Sequence, residues 1–230
     1  MLDNINTDIM ICEKCPRLVI YRQQVAAQKR RAYRDEIYWG KPVPGWGESK
    51  ARLLIVGLAP AAHGANRTGR MFTGDNSGNF LFEALYQAGF ASQSLSKNKE
   101  DGLQLFDTYI SNIIRCVPPE NKPLPDEIIN CRKYLQEEIN VLENLLVILA
   151  LGKIAYENTI KTIQDSKSIS YPNFFHGVEY NIKSYTVIAS YHPSHRNTAT
   201  GLLTSNMMNE ILSRVQLKIT QSPSSNKILT

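Results

Sequence analysis

The sequence predicts an α/β protein, a three-layer α/β/α sandwich around a short, mainly parallel, four-stranded central sheet. Three observations carry this. Four short apolar runs rich in β-branched residues, Leu53 to Val56, Tyr109 to Ile114, Leu145 to Leu149 and Tyr185 to Ala189, read as buried strands. Helical patterns lie between them. Parallel neighbours need a crossover that packs on the sheet, so alternation of this kind covers both faces with helices.

In chain order, Pro16 to Arg34 reads as a helical arm ahead of the sheet, and the Pro/Gly-rich WGKPVPGWGE, Trp39 to Glu48, as a turn-dense link. The run RLLIVG is the first strand. It empties into GLAPAAHGANRTGRMFTGD, Gly57 to Asp75, a loop with four glycines, two arginines and a histidine but no carboxylate before its last residue. Such a loop suits an anionic ligand. A helix from Gly78 to Ala88 follows, and the second strand continues into SNIIRC. From Asp126 to Leu142, the residues Ile128, Cys131, Leu135, Ile139 and Leu142 recur three or four apart and share one helical face. The third strand is followed by a helix from Lys153 to Ile163. The fourth leads into SYHPSHRNTATG and a last helix from Gly201 to Val215. Residues 1–218 are expected to form one domain, and the polar, Ser-rich 219–230 a disordered tail.

Ligands of open parallel sheets bind beyond the carboxyl ends of the strands. Three loops, at Gly57 to Asp75, at SNIIRC and at SYHPSHRNTATG, should therefore meet at one edge. A nucleotide-binding Rossmann-like enzyme is excluded, because the first strand is not followed by G-x-G-x-x-G.

With 230 residues and 43% hydrophobic content, the composition is that of a globular domain. Basic residues exceed acidic ones by 26 to 21, a modest excess that favours contact with phosphate polymers. No stretch approaches the ~20 apolar residues of a membrane span, so a cytoplasmic, monomeric protein without membrane contact is expected.

Cys12 and Cys15 form C-x2-C, and Cys116 and Cys131 complete the chain's four cysteines. Two thiolates at this spacing curl round one point, and two more from elsewhere would complete a four-sulfur metal site. A redox C-x2-C would follow a strand, which this pair does not. Spacing leaves zinc and an iron-sulfur cluster both open, and four protein sulfurs imply a structural role.

The loop GLAPAAHGANRTGRMFTGD, the segments SNIIRC and HPSHRNTATGLLT, the CEKCPRL start and PVPGWG together resemble family 5 uracil-DNA glycosylases. The likeness runs from about Cys12 to Val215. Family 4 differs in the first loop, which there begins GEAPG; this chain has Leu58 at the glutamate's place. It also departs from its own family, with Leu202 where the third motif carries arginine. The resemblance implies the uracil-glycosylase fold, excision of uracil and other deaminated bases such as hypoxanthine from DNA in base excision repair, and a 4Fe-4S cluster on Cys12, Cys15, Cys116 and Cys131. It favours iron-sulfur over zinc. A noncatalytic metal-containing nucleic-acid-binding module is the alternative.

Under this resemblance, each candidate residue has a chemical role and a plainer alternative. Phe72 would stack on the flipped base, or merely anchor its loop. Asn112 would pair with the base edge, or serve as a turn former. His192 would donate to the 2-carbonyl of the departing base, where negative charge develops, or sit satisfied before Pro193. Asp75 would stabilise the cationic sugar or orient water, and equally suits a helix N-terminus. Ala59 stands where the best-known uracil-DNA glycosylases carry Asp or Asn. With Gly57, His63 and Asn66 it is expected at the base pocket. Arg67, Arg70, Ser194, Arg196 and Asn197 are expected at phosphates of a double-stranded substrate, and Tyr191 and His195 beside them. The three loops hold no lysine, so a coupled lyase step is not expected.

Overall fold

The computed structural model describes residues 1–164 and 170–221. The strands are β1 (Trp46–Gly47), β2 (Leu53–Gly57), β3 (Thr108–Asn112), β4 (Val147–Leu151), β5 (Glu179–Ile182) and β6 (Tyr185–Ser190). The helices are α1 (Leu2–Met10), α2 (Pro16–Gln28), α3 (Ala65–Thr68), α4 (Asn76–Gln87), α5 (Pro125–Val141), α6 (Lys153–Gln164), α7 (His195–Ala199) and α8 (Ser205–Gln221).

The sheet has six strands in the order β1-β3-β2-β4-β6-β5 and is mixed. The expected four-stranded sheet is thus corrected: the four inner strands run parallel, and an antiparallel strand closes each edge. Neither edge strand carries an apolar run. β1 is two residues within the Pro/Gly-rich link, and β5 is the half-exposed EYNI, paired to β6 through a tight turn at Lys183. Short, polar edges also discourage pairing with another chain.

β2, β3 and β4 are buried along their whole length, and their side chains divide between two cores. Leu53, Ile55, Ile110 and Leu149 pack with Phe82 and Leu85 of α4 and Ile211 and Leu212 of α8. Leu54, Val56, Tyr109 and Ile148 pack with Leu135 and Ile139 of α5 and Ile160 of α6. Each such aliphatic side chain contributes about 1.5–3 kcal/mol when fully buried. The expected α5 face is buried but not purely apolar. Glu138 sits among it, accepting from Ser111 and Arg115 at 2.6 Å each.

Three helix boundaries differ from expectation. The arm breaks at Lys29, which takes φ 52° and leads into a single 3-10 turn at Arg31–Tyr33. The last helix begins only after Thr204, whose hydroxyl accepts from Met207 N at 3.3 Å. It runs on through buried Ile219 to Gln221, so the first residues of the expected tail are helical. Residues 222–230 lie outside the described residues. The N-terminal segment is helical too, and packs Ile5 and Ile9 against Tyr134 of α5.

The inner strands end together. Gly57 is paired with Asn112 and Leu151 with Ser190, so the loops that leave them share one edge of the sheet.

Candidate active site

A cavity opens at this edge, lined by Ala59, Ala61, Ala65, Phe72, Asp75, Ser77, Asn112 and His192. Three separate stretches of chain meet there, as expected from the strand ends. Phe72 comes from the loop after β2, Asn112 from the end of β3, and His192 from the turn after β6.

Phe72 is held with a left-handed backbone, φ 53°, and its ring centroid lies 6.3 Å from that of His192. Strained residues of this kind cluster where function needs a fixed side chain. Gly57 makes room for it. A Cβ at Gly57 would fall 2.7 Å from Phe72 Cζ and would also strike Asn112 Oδ1.

Asn112 is 2% exposed, and its Oδ1 has no hydrogen-bond partner. A buried orphan acceptor costs about 1–3 kcal/mol and marks a position where a ligand donor belongs. Burial pushes the His192 imidazole down to about 4, so the ring is neutral near pH 7. Its backbone carbonyl is fixed by Asn197 Nδ2 and Ser194 N, both at 2.8 Å.

Asp75 is the N-cap of α4, its Oδ1 accepting from Gly78 N at 2.9 Å. The second oxygen lies against Gly64, where any side chain would collide with it. Burial pushes the carboxyl above the usual range, opposed by the Gly78 and Ser77 amides and by Arg67. Both readings of Asp75 are therefore compatible: it caps a helix and it lines the cavity.

Several expected ligand contacts are instead scaffold. Asn66 is fully buried, gives its amide to Arg22 O at 3.3 Å, and does not line the cavity. His63 turns to the Tyr38 hydroxyl at 3.0 Å. Arg67, 7% exposed, donates to His63 O and Gly74 O, pairs with Glu36 and lies 3.9 Å from the Tyr33 ring centroid. Arg70, 6% exposed, holds Asp101 at 2.6 Å, Ser96 at 2.8 Å and Thr73 at 3.0 Å, and lies over Trp46. Neither guanidinium is free for phosphate, because each is already enclosed by acceptors from its own loop and its neighbours. They brace the stretch that presents Phe72. Ser194 caps α7 through Asn197 N, and Asn197 serves the His192 turn, so both act first on the protein. Tyr191 packs on His176 and Phe174, while His195 and Arg196 remain exposed on α7. The lining residues Ala61, Ala65 and Ser77 were not foreseen. Small residues carry no sequence signal beyond their closeness to a strand end.

The four cysteines converge elsewhere. Cys12 and Cys15 between α1 and α2, Cys116 after β3 and Cys131 on α5 line one cavity, shared with Leu18, Arg115 and Tyr134. All four are free of disulfides. Burial pushes the Cys116 thiol up to about 11 and the Cys131 thiol up to about 12. Among the described residues no three Cys, His, Asp or Glu side chains gather tightly enough to grip a single metal ion. The donor chemistry nevertheless fits an anionic, sulfur-bound group. Arg22 Nη1 donates to Cys116 Sγ at 3.3 Å, and buried Arg115 leaves Nε and Nη1 without a partner beside the thiols.

No helix among the described residues is long and apolar enough to cross a membrane.

The chain is similar to known proteins over most of its length. The type-5 uracil-DNA glycosylase of Thermus thermophilus is 46% identical over 87% of this chain and 90% of its own. That of Mycobacterium leprae is 44% identical over 91% and 92%, and that of Pyrobaculum aerophilum 42% over 92% and 91%. Residues 44–216, which hold every side chain lining the strand-end cavity, match the Uracil DNA glycosylase superfamily, and the chain belongs to that superfamily.

Proposed function

We propose that this protein removes uracil from DNA by hydrolysing its N-glycosidic bond, leaving an abasic site for base excision repair. The observation that carries this reading is the orphaned Oδ1 of Asn112, a residue that lines one cavity with Phe72 and His192. Uracil presents an N–H between two carbonyls, the donor that this acceptor lacks.

The reaction begins with extrusion of the nucleotide, which costs a few kcal/mol of lost stacking. Phe72 recovers part of that by taking the base face. Asn112 accepts from N3–H. As the bond to the sugar breaks, electron density moves onto the base, and the neutral His192 ring donates an N–H to its 2-carbonyl oxygen. A donor aimed at charge that exists only in the transition state raises the rate rather than the affinity. Asp75 lies on the sugar side of this scheme, where its carboxylate offsets the oxocarbenium-like charge and orients the water that completes hydrolysis.

Hypoxanthine shares the lactam N–H beside a carbonyl, so the same acceptor admits it as a second substrate. Extrusion from a stack makes duplex DNA the natural substrate, acted on by a cytoplasmic monomer. The four cysteines hold a 4Fe-4S cluster in this reading, with zinc the less favoured choice, since thiolates spread round a cavity suit a polynuclear body. Such a group cross-links the N-terminal helices to the sheet and takes no part in the bond cleavage. A noncatalytic binding module is not favoured, because the relatives that match over most of the chain are named as glycosylases.

The test is release of free base from a duplex with one uracil, followed by alkaline strand scission. Uracil appearing with the abasic break supports the proposal. A duplex that is bound yet intact after alkali overturns it.

A further inference from the structure

The two loop arginines that a nucleic-acid enzyme would be expected to spend on phosphates are buried, and the structure offers their replacement nearby. Immediately after α2 the chain reads Lys29-Arg30-Arg31-Ala32-Tyr33-Arg34, ahead of Asp35 and Glu36. Arg30, Arg31 and Arg34 are exposed, and none has a carboxylate partner among the described residues. Lys29 is occupied, its ammonium on Arg34 O at 3.1 Å, which closes the turn. Of the two nearby carboxylates, Glu36 is taken by Arg67, and Asp35 is the one left to offset three guanidiniums.

The turn and the segment that follows it, through Gly40, are fastened to the cavity loop at five points. Tyr38 Oη meets His63 Nδ1 at 3.0 Å, Arg67 pairs with Glu36, and its guanidinium lies 3.9 Å from the Tyr33 ring centroid. Trp39 N donates to Arg67 O at 2.8 Å and Gly40 N to Asn66 O at 3.0 Å. Arg30 is close enough to His63 that its charge helps burial hold that imidazole below its ordinary value. His63 lies two residues from Ala61 and two from Ala65, both of which line the cavity. The basic turn is therefore held against the loop that lines the cavity rather than left as a free tail.

We infer that the Arg30, Arg31 and Arg34 turn is a DNA-backbone clamp, holding phosphates beside the extruded nucleotide. This rests on the glycosylase reading above. Its chemistry is a set of unpaired guanidiniums, each able to fork across two phosphate oxygens, mounted on the loop that must approach the duplex. The clamp positions DNA without reading sequence.

The test is the salt dependence of binding to a short duplex carrying a central abasic site, for the wild-type protein, the triple variant Arg30→Gln/Arg31→Gln/Arg34→Gln, and a control Lys50→Gln/Lys183→Gln. The control cations are exposed at the opposite edge of the sheet, before β2 and in the β5–β6 turn. Each lost phosphate contact lowers the slope of log K against log salt by about 0.9. The triple variant should lose about 1 or more of slope, up to about 3, and the control should lose less than about 1. A loss below about 1 in the triple variant, or an equal loss in the control, overturns the clamp. Uracil release by the wild-type protein is read separately, so failure of the clamp and failure of the glycosylase reading are told apart.

Discussion

Asn112 faces Gly57 across the β2–β3 ladder, and the amide of the one occupies the space that a side chain on the other would fill. Gly57→Ala places a methyl against both Asn112 Oδ1 and the Phe72 ring, 2.7 Å from its Cζ. Neither neighbour can retreat, since one ends a buried strand and the other has a constrained backbone. Overpacking of this kind costs about 1–3 kcal/mol. Displacing two base contacts together should lower kcat/KM for uracil excision about 100-fold. Thermal melting and excision kinetics on one preparation check both; a variant with wild-type kinetics would show that the cavity is not where the base sits.

Asn112→Ala separates function from stability. The wild-type side chain leaves a buried carbonyl oxygen unsatisfied until a ligand arrives. Removing it should cost no stability and can raise Tm, because the penalty for an orphan acceptor disappears along with the packing that is lost. Excision should fall about 10–100-fold, the worth of one or two hydrogen bonds in a dry site. A drop in Tm with unchanged kcat/KM would assign Asn112 to the scaffold.

Much of the fold was legible because buried parallel strands are written as apolar runs: the four inner strands were foreseen within two residues. The edge strands were not, since Trp46–Gly47 and Glu179–Ile182 owe their conformation to a neighbour and not to their own composition. The same limit governs the site. Phe72, Asn112, Asp75 and His192 were named from the family resemblance, and topology explains why the loops that carry them line one cavity. Which arginine faces solvent depends on acceptors far away in sequence. Arg70 meets Asp101 thirty-one residues on, and nothing local distinguishes it from exposed Arg196.

That contrast is testable. Arg70→Ala takes the guanidinium from Asp101, which keeps the amides of Lys97, Asn98 and Leu103, and losing a hydrogen bond to a charged group costs about 1.5–3 kcal/mol. Arg196→Ala should change stability by no more than about 0.5 kcal/mol while lowering the salt slope of DNA binding by about 0.9. Denaturant melts and salt titrations of the two variants should give opposite patterns. If Arg70→Ala melts like the wild type, the bracing role assigned to it is wrong.

Acid should act on this site through both Asp75 and His192. Burial lowers the imidazole to about 4, so on acidification the unfolded chain takes up that proton first. His192 therefore contributes stability that is full above the ordinary histidine value of about 6.5 and is lost as pH falls towards 4. Its N–H donor persists unchanged through that window in the folded enzyme. The Asp75 carboxyl is raised above its ordinary value, so its protonation should contribute to the acid limb in kcat/KM, and that contribution should be lost in Asp75→Asn. An NMR titration of the His192 ring should show no midpoint between about 5.5 and 7.5, a window in which an ordinary histidine titrates. A midpoint near 6.5 would place a charged imidazole at the leaving base and contradict the neutral donor.

The cysteine cavity makes the last prediction, and its force lies in the charges around it. Arg22 and Arg115 are almost wholly buried beside the thiols, and Glu138 answers only Arg115, through a single nitrogen. Neutral thiols leave those guanidiniums under-compensated, whereas an anionic thiolate-bound cluster would satisfy them and displace the thiol protons. Protein purified without oxygen should be brown, absorb broadly, and contain iron and acid-labile sulfide. Cys131→Ser should lose the colour and lower Tm more than loss of one buried thiol explains, because α5 and the N-terminal helices would lose their common tie. Colourless protein with stoichiometric zinc would replace the cluster with a single ion. Colourless protein without metal, equally stable in the serine variant, would leave the four cysteines as packing alone.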